Sequence, residues 1–193
     1  MKRGNILSLF CLLTLSAGCS GTNFVRPEEG LFVLGKTTAS EVIKVMGNPS
    51  GDSPYVQDDK TMREITYSFA SMFEKPHVPG VVPSRSVGFL FLNDIMVGQC
   101  FMSSFEIDHT DFDEDKVSQI TKDKTTYEEM VALLGKPACE YIYPLIKHVS
   151  LRGAGYMYTQ YTQSHHKFIK AFIVEYSSDN VIRETEYSAS GEK

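Results

Sequence analysis

Apolar and polar positions follow two different periods along this chain. Over residues 38–46 and again over 126–134 the apolar side chains recur three and four apart, as Val42, Val45 and Met46, then as Met130, Leu133 and Leu134. That spacing gathers each trio on one buried face of a short helix. Both helix ends are also specified locally. Thr38 with Glu41, and Thr126 with Glu129, stand at capping-box spacing, in which hydroxyl and carboxylate satisfy the orphan N–H groups of a first turn. Gly47 and Gly135 suit the left-handed residue that closes a helix, and Pro49 and Pro137 prevent its continuation.

Beyond each helix the period changes to two. Ile65, Tyr67 and Phe69 alternate with polar residues over 63–70, and residues 86–92 run through Asn93-Asp94 into 95–103, a hairpin signature. The second half repeats this order, with strands expected over 156–161, 168–176 and 181–188 and a turn at 177–180. Residues 36–49 align without gaps to 124–137, with six of the 14 positions identical and four more apolar in both copies. The expected fold is α+β: two tandem repeats, each of short helices followed by a three-stranded antiparallel meander. The first repeat covers residues 26–107 and the second 108–193.

These residues resemble the SmpA/OmlA, or BamE-like, lipoproteins of the bacterial outer-membrane β-barrel assembly machinery. The family pattern is Gly-x-Thr before a helix that ends Leu-Gly-x-Pro. Gly35-Lys36-Thr37 through Val45-Met46-Gly47-Asn48-Pro49 matches it with Met46 in place of Leu, and Leu134-Gly135-Lys136-Pro137 matches the helix end fully, with Asp123 in place of the first Gly. Val117-Ser118-Gln119-Ile120 resembles the short first helix of the family. The resemblance implies a protein partner in the envelope, with the β-barrel assembly machinery as one candidate. Two copies in tandem depart from the single-copy assembly protein and look more like the arrangement of β-lactamase inhibitor proteins.

The N-terminal segment is read separately as a processing signal. Lys2 and Arg3 precede an apolar run over 6–15, half the length a membrane-spanning helix needs, which is about 20 residues. The run closes on Leu15-Ser16-Ala17-Gly18-Cys19, which resembles a bacterial lipobox, although Ser16 stands where Leu is commonest. The resemblance implies a signal peptide over 1–18, acylation of Cys19, and residues 19–25 as a lipidated tether. Ser20, where an Asp would resemble an inner-membrane retention signal, points to the outer membrane and a periplasm-facing domain. Three acyl chains on Cys19 anchor permanently, since two suffice for stable attachment.

Composition narrows the partners. The chain carries 19 Lys plus Arg against 24 Asp plus Glu, a net charge of −5. No basic surplus exists for nucleic acid. Removal of residues 1–18 takes away Lys2 and Arg3 and leaves the mature domain at −7, so its surface repels anionic headgroups and the lipid supplies the attachment.

Candidate chemistry is sparse. Asp111, Asp113 and Asp115 alternate as in a calcium loop, yet Lys116 and Lys122 occupy the positions that need Gly and the bidentate Glu, so these acids read as helix caps. His165 and His166 are adjacent and point oppositely on an extended chain, which suits a polar hairpin loop better than a metal. Gly153-Ala154-Gly155 has Tyr158 in place of the third glycine of a dinucleotide loop. No catalytic motif occurs, so the expectation is a non-enzymatic binding protein with no cofactor and no metal. An inhibitor-like binder of a periplasmic enzyme and an enzyme with a scattered site are the alternatives.

Two further features complete the reading. Cys100 and Cys139 either pair, closing a loop of about 40 residues in the oxidising envelope, or remain as two buried thiols. Residues 71–85 hold three prolines and a glycine and exceed the usual connection of about 4 to 6 residues, whereas the matching connection, 162–167, has six. Met72, Phe73, Val78, Val81 and Val82 on that segment are the expected partner-binding residues.

Overall fold

The computed structural model describes residues 21–57, 59–163 and 166–192. Both expected helices form, as α1 (Ala39–Met46) and α2 (Tyr127–Leu134). The Thr38 hydroxyl accepts from the Glu41 N–H at 3.3 Å while the Glu41 carboxylate accepts from the Thr38 N–H at 2.8 Å, and Thr126 and Glu129 repeat the exchange. Gly47 and Gly135 close the helices at φ of 82° and 83°, a conformation that glycine adopts without a Cβ penalty. The buried face of α1 is rotated by one residue from the expected trio. Val42, Ile43 and Met46 face the core, and Val45 is 55% exposed.

The expected pair of three-stranded meanders is corrected by the strand pairing. The strands build one antiparallel sheet of eight in sequence order: β1 (Gly51–Gln57), β2 (Lys60–Ala70), β3 (Ser84–Leu92), β4 (Ile95–Ser103), β5 (Cys139–Tyr141), β6 (Arg152–Tyr161), β7 (Lys167–Tyr176) and β8 (Ile182–Gly191). Among the described residues the few helices are short and form a small part of the fold. Two strands escape a period-two reading for different reasons. β1 is an edge strand exposed along most of its length, so neither face needs apolar residues. β5 has only three residues, too few to show a period. Through β5 the two halves share one sheet: Cys100 pairs with Cys139 across β4 and β5, and Cys139 with Gly155 across β5 and β6.

Side-chain alternation gives this sheet two faces. On one, Ile65, Tyr67, Val87, Phe89 and Phe101 meet α1, and Ala154, Tyr156, Phe172 and Val174 meet α2. Matching tyrosines fasten each helix: Tyr67 donates its hydroxyl to the Gly47 carbonyl at 2.9 Å and Tyr156 to that of Gly135 at 2.7 Å. Among the described residues no helix covers the opposite face. Residues 142–146 cover one end of it, and a Cβ on Gly98 would meet Leu145 Cδ1 at 2.3 Å, one on Gly153 Ile146 Cγ2 at 2.7 Å. Gly153 and Gly155 therefore serve close packing on β6, which accounts for the glycines that resemble half of a dinucleotide loop.

Residues 24–29 bridge the two halves. Phe24 stands edge-on to Tyr67 and Phe101, Arg26 donates to the Pro137 carbonyl at 2.6 Å, and Glu29 pairs with Lys136 at 2.8 Å. The expected tether over 19–25 is thus laid against the fold by Phe24. Cys19 and the 1–18 segment lie outside the described residues, as does His165. Among the described residues, no helix is long and apolar enough to cross a membrane.

Candidate functional site

The connection between β4 and the 3-10 helix at Glu114–Gln119 crosses from one half to the other, and two buried cations hold it. Arg85 on β3 pairs with Asp108 at 3.2 Å, donates to the Phe24 carbonyl at 2.7 Å and lies 4.4 Å from the Phe105 ring centroid. Lys170 on β7 pairs with Asp111 at 2.8 Å, donates to the Phe112 carbonyl at 2.5 Å and lies 4.6 Å from the Phe112 ring centroid. The halves thus use the same device: a strand cation, a connecting-segment carboxylate and an adjoining phenylalanine. A carboxylate and a carbonyl stand in for the water each charge loses on burial, although Arg85 Nε is left without a hydrogen-bond partner among the described residues.

This arrangement reassigns the alternating acids. Asp111 turns inward to Lys170, and Asp113 caps the 3-10 helix by accepting from the Asp115 N–H at 3.1 Å. Among the described residues no group of three or more His, Cys, Asp or Glu side chains is arranged to hold a metal ion.

Two histidines complete the junction. The rings of His77 and His109 stack with centroids 3.5 Å apart and 12° between planes, and His77 Nε2 lies 3.5 Å from Asp111. Burial, and then the neighbouring His77, pull His109 below the ordinary histidine value of 6.5, against an opposing influence from Asp111 and Asp108. The folded protein therefore binds this proton less readily than the unfolded chain. Stability from this source is present above about pH 6.5 and is lost as pH falls from there through the lower value of the folded state. Urea midpoints measured at pH 7.5 and 5.5 are expected to show lower stability at the acid end, with the difference reduced in His109→Asn. An unchanged difference in that variant would exclude His109 as its source.

The connecting segment also pairs with the long β2–β3 connection, residues 71–83. Pro76 bridges to Phe105, and the Glu106 N–H donates to the Lys75 carbonyl at 2.9 Å. Beyond this contact the connection leads back to Phe73 and Met72, and the connecting segment turns at Ile107. Exposure is 52% at Met72, 78% at Phe73 and 79% at Ile107. Three large apolar side chains thus stand exposed on the two segments this contact joins, and the Phe73 N–H donates to the Ser71 hydroxyl at 3.2 Å.

The expected binding residues divide in two. Met72 and Phe73 belong to this exposed set. Val81 does not, since it is 3% exposed, bridges to Thr162 and brings the end of the connection onto the second half. Val78 is half-buried, and Val82, also half-buried, donates its N–H to the Tyr161 carbonyl at 2.7 Å. Ile107 was not among the expected residues. Its sequence signal is a branched apolar side chain between two acids, Glu106 and Asp108, where a solvated turn has no use for one.

On the helix-free face the uncovered end of the sheet forms a groove of about 1100 Å³, with Met102, Met157, Thr159, Tyr161 and Ile169 along it. The covered end holds Cys100 and Cys139, joined as a disulfide between β4 and β5.

Comparison with known proteins gives little to set beside this geometry. No family model matches the chain, so the SmpA/OmlA resemblance rests on the quoted motifs alone. No curated protein matches it either. One solved structure, of a Streptococcus mutans protein provisionally named a β-lactamase inhibitor protein, aligns over 82% of this chain and 90% of its own. Identity is 9% and the TM-score 0.44, a distant likeness on which no functional argument rests.

Proposed function

We propose that this chain is a non-enzymatic, lipid-anchored interaction module of the outer membrane, facing the periplasm, which captures an envelope protein in outer-membrane protein assembly or envelope maintenance. The observation that carries this reading is the exposed trio Met72, Phe73 and Ile107 on two segments joined by the Glu106–Lys75 hydrogen bond, the segment of Ile107 being held in turn by the Arg85 and Lys170 ion pairs. Large apolar groups on a fixed frame suit a partner surface because little ordering entropy is lost on binding. The lipobox ending in Cys19 supports the anchor and the compartment, and the Leu134-Gly135-Lys136-Pro137 motif supports kinship with the BamE-like lipoproteins.

The reading is tested by crosslinked capture from detergent-solubilised envelopes with the full-length protein. Phe73→Asp combined with Ile107→Asp is expected to reduce the captured partner at least about tenfold, the loss of one strong interface contact. Thermal unfolding should be unchanged, since both side chains are already exposed. Undiminished capture by the double variant would overturn the proposal. Replacing the whole 71–85 segment is a poorer test, because it also removes buried Val81 and Arg85.

A further inference from the structure

The groove on the helix-free face has one feature that bears on its occupant: Gly21, the first described residue, stands in its wall. Gly21 lies against the end of β2 so closely that a Cβ there would meet the Ser68 carbonyl oxygen at 2.1 Å. Only Ser20 separates this fixed point from Cys19, and two extended residues span at most about 7 Å. A group on Cys19 is therefore tethered within about 7 Å of a residue that lines the groove.

The lining suits hydrocarbon. Met102 and Met157 are unbranched and adapt to an irregular apolar guest, and Ile169 and the Tyr161 ring extend the same surface. Polar side chains also line it, among them the hydroxyls of Ser68, Ser86 and Thr159, Gln163, and the cations Arg85 and Lys167, the latter over the Tyr161 ring; among the described residues no carboxylate does. Its volume of about 1100 Å³ lies at the upper end of the range usual for ligand sites, which is about 300–1,000 Å³.

We infer that the groove shelters acyl chain carried on Cys19 when that chain is not in a bilayer. The inference rests on the lipid-anchor reading of the preceding subsection and adds a destination for the lipid. Covalent attachment decides between this chain and a free one. A group on a short leash is present at an effective concentration in the millimolar range, without the entropy loss of association. Each methylene moved out of water adds to the favourable transfer, so even partial insertion favours the sheltered state in solution. A bilayer offers complete burial and draws the chain out, which leaves the groove open toward the membrane surface beside the anchor.

The experiment uses full-length protein from envelopes of cells fed a diazirine-bearing fatty acid, freed of detergent, irradiated and mapped by peptide mass spectrometry. Adducts of the Cys19-linked chain with peptides containing Met102, Met157 or Ile169, on the same polypeptide, are expected. Val45 on α1 should remain unmodified. Met102→Glu with Ile169→Glu should keep the acyl mass on Cys19 and lose the groove adducts several-fold. An acylated Cys19 without groove adducts, or groove adducts of a free phospholipid or of another polypeptide, would overturn the inference and leave the anchor standing. An unmodified Cys19 would overturn the anchor reading, and the inference with it.

Discussion

Cys100→Ala combined with Cys139→Ala is expected to lower the stability of the folded protein by about 4 kcal/mol, the chain-entropy value for closing a loop of this length. The two cysteines are 39 residues apart and join β4 to β5, which is the seam between the halves. Only Gly98, Gln99 and Cys100 pair with Tyr141, Glu140 and Cys139 there, whereas β2, β3, β6 and β7 each pair with a neighbour over eight residues or more. The disulfide thus reinforces one of the two shortest pairings in the sheet, the other being the three-residue pairing of β5 with β6. Unfolding of the oxidised protein should be one cooperative transition, and reduction should move its denaturant midpoint down by the same amount as the double substitution. Two free, alkylatable thiols in the native protein, or a midpoint indifferent to reductant, would refute this account.

What the sequence showed and what it hid divide by distance along the chain. The helix ends were legible because a capping box is a conversation between residues three apart, as at Thr38 with Glu41. The β3–β4 hairpin was legible because Asn93 and Asp94, both at positive φ, are turn residues between two alternating runs. The single sheet was not, since its joint is a three-residue strand whose partner in β4 lies about 40 residues earlier. Local pattern says nothing about whether two similar halves lie apart or share an edge.

The candidate surface shows the same limit. Exposure of Met72 and Phe73 followed from a proline-rich connection too irregular for a strand, but the same reasoning gave Val81 an exposed place. Val81 is buried because the connection docks on Thr162, a contact about 80 residues distant in sequence. Arg85 and Lys170 look like ordinary strand residues. Their buried roles become visible only when the segment bearing Asp108 and Asp111 is laid across them.

Asp111→Ala is expected to cost about 3 kcal/mol, the lower end for breaking a buried ion pair by removing one partner. Lys170 is 5% exposed and cannot recover its water when the carboxylate is lost. The cost stays at the lower end because the Phe112 carbonyl still accepts from Lys170 at 2.5 Å and Glu114 lies 3.8 Å away. The converse change, Lys170→Met, should cost less, about 1 to 2 kcal/mol, since the Asp111 carboxylate it leaves behind is partly solvated and keeps His77 at 3.5 Å. Replacing both, as Lys170→Met with Asp111→Leu, removes charge and countercharge together and should restore most of the loss, because an apolar pair bears no desolvation penalty. Chemical denaturation of the three variants closes a double-mutant cycle, and an interaction term near zero would show that the charges are not coupled. The cycle also connects stability to function: Asp111 fixes the segment that presents Ile107, so Asp111→Ala should weaken partner capture even though Met72, Phe73 and Ile107 are intact, and the double replacement should recover capture along with stability.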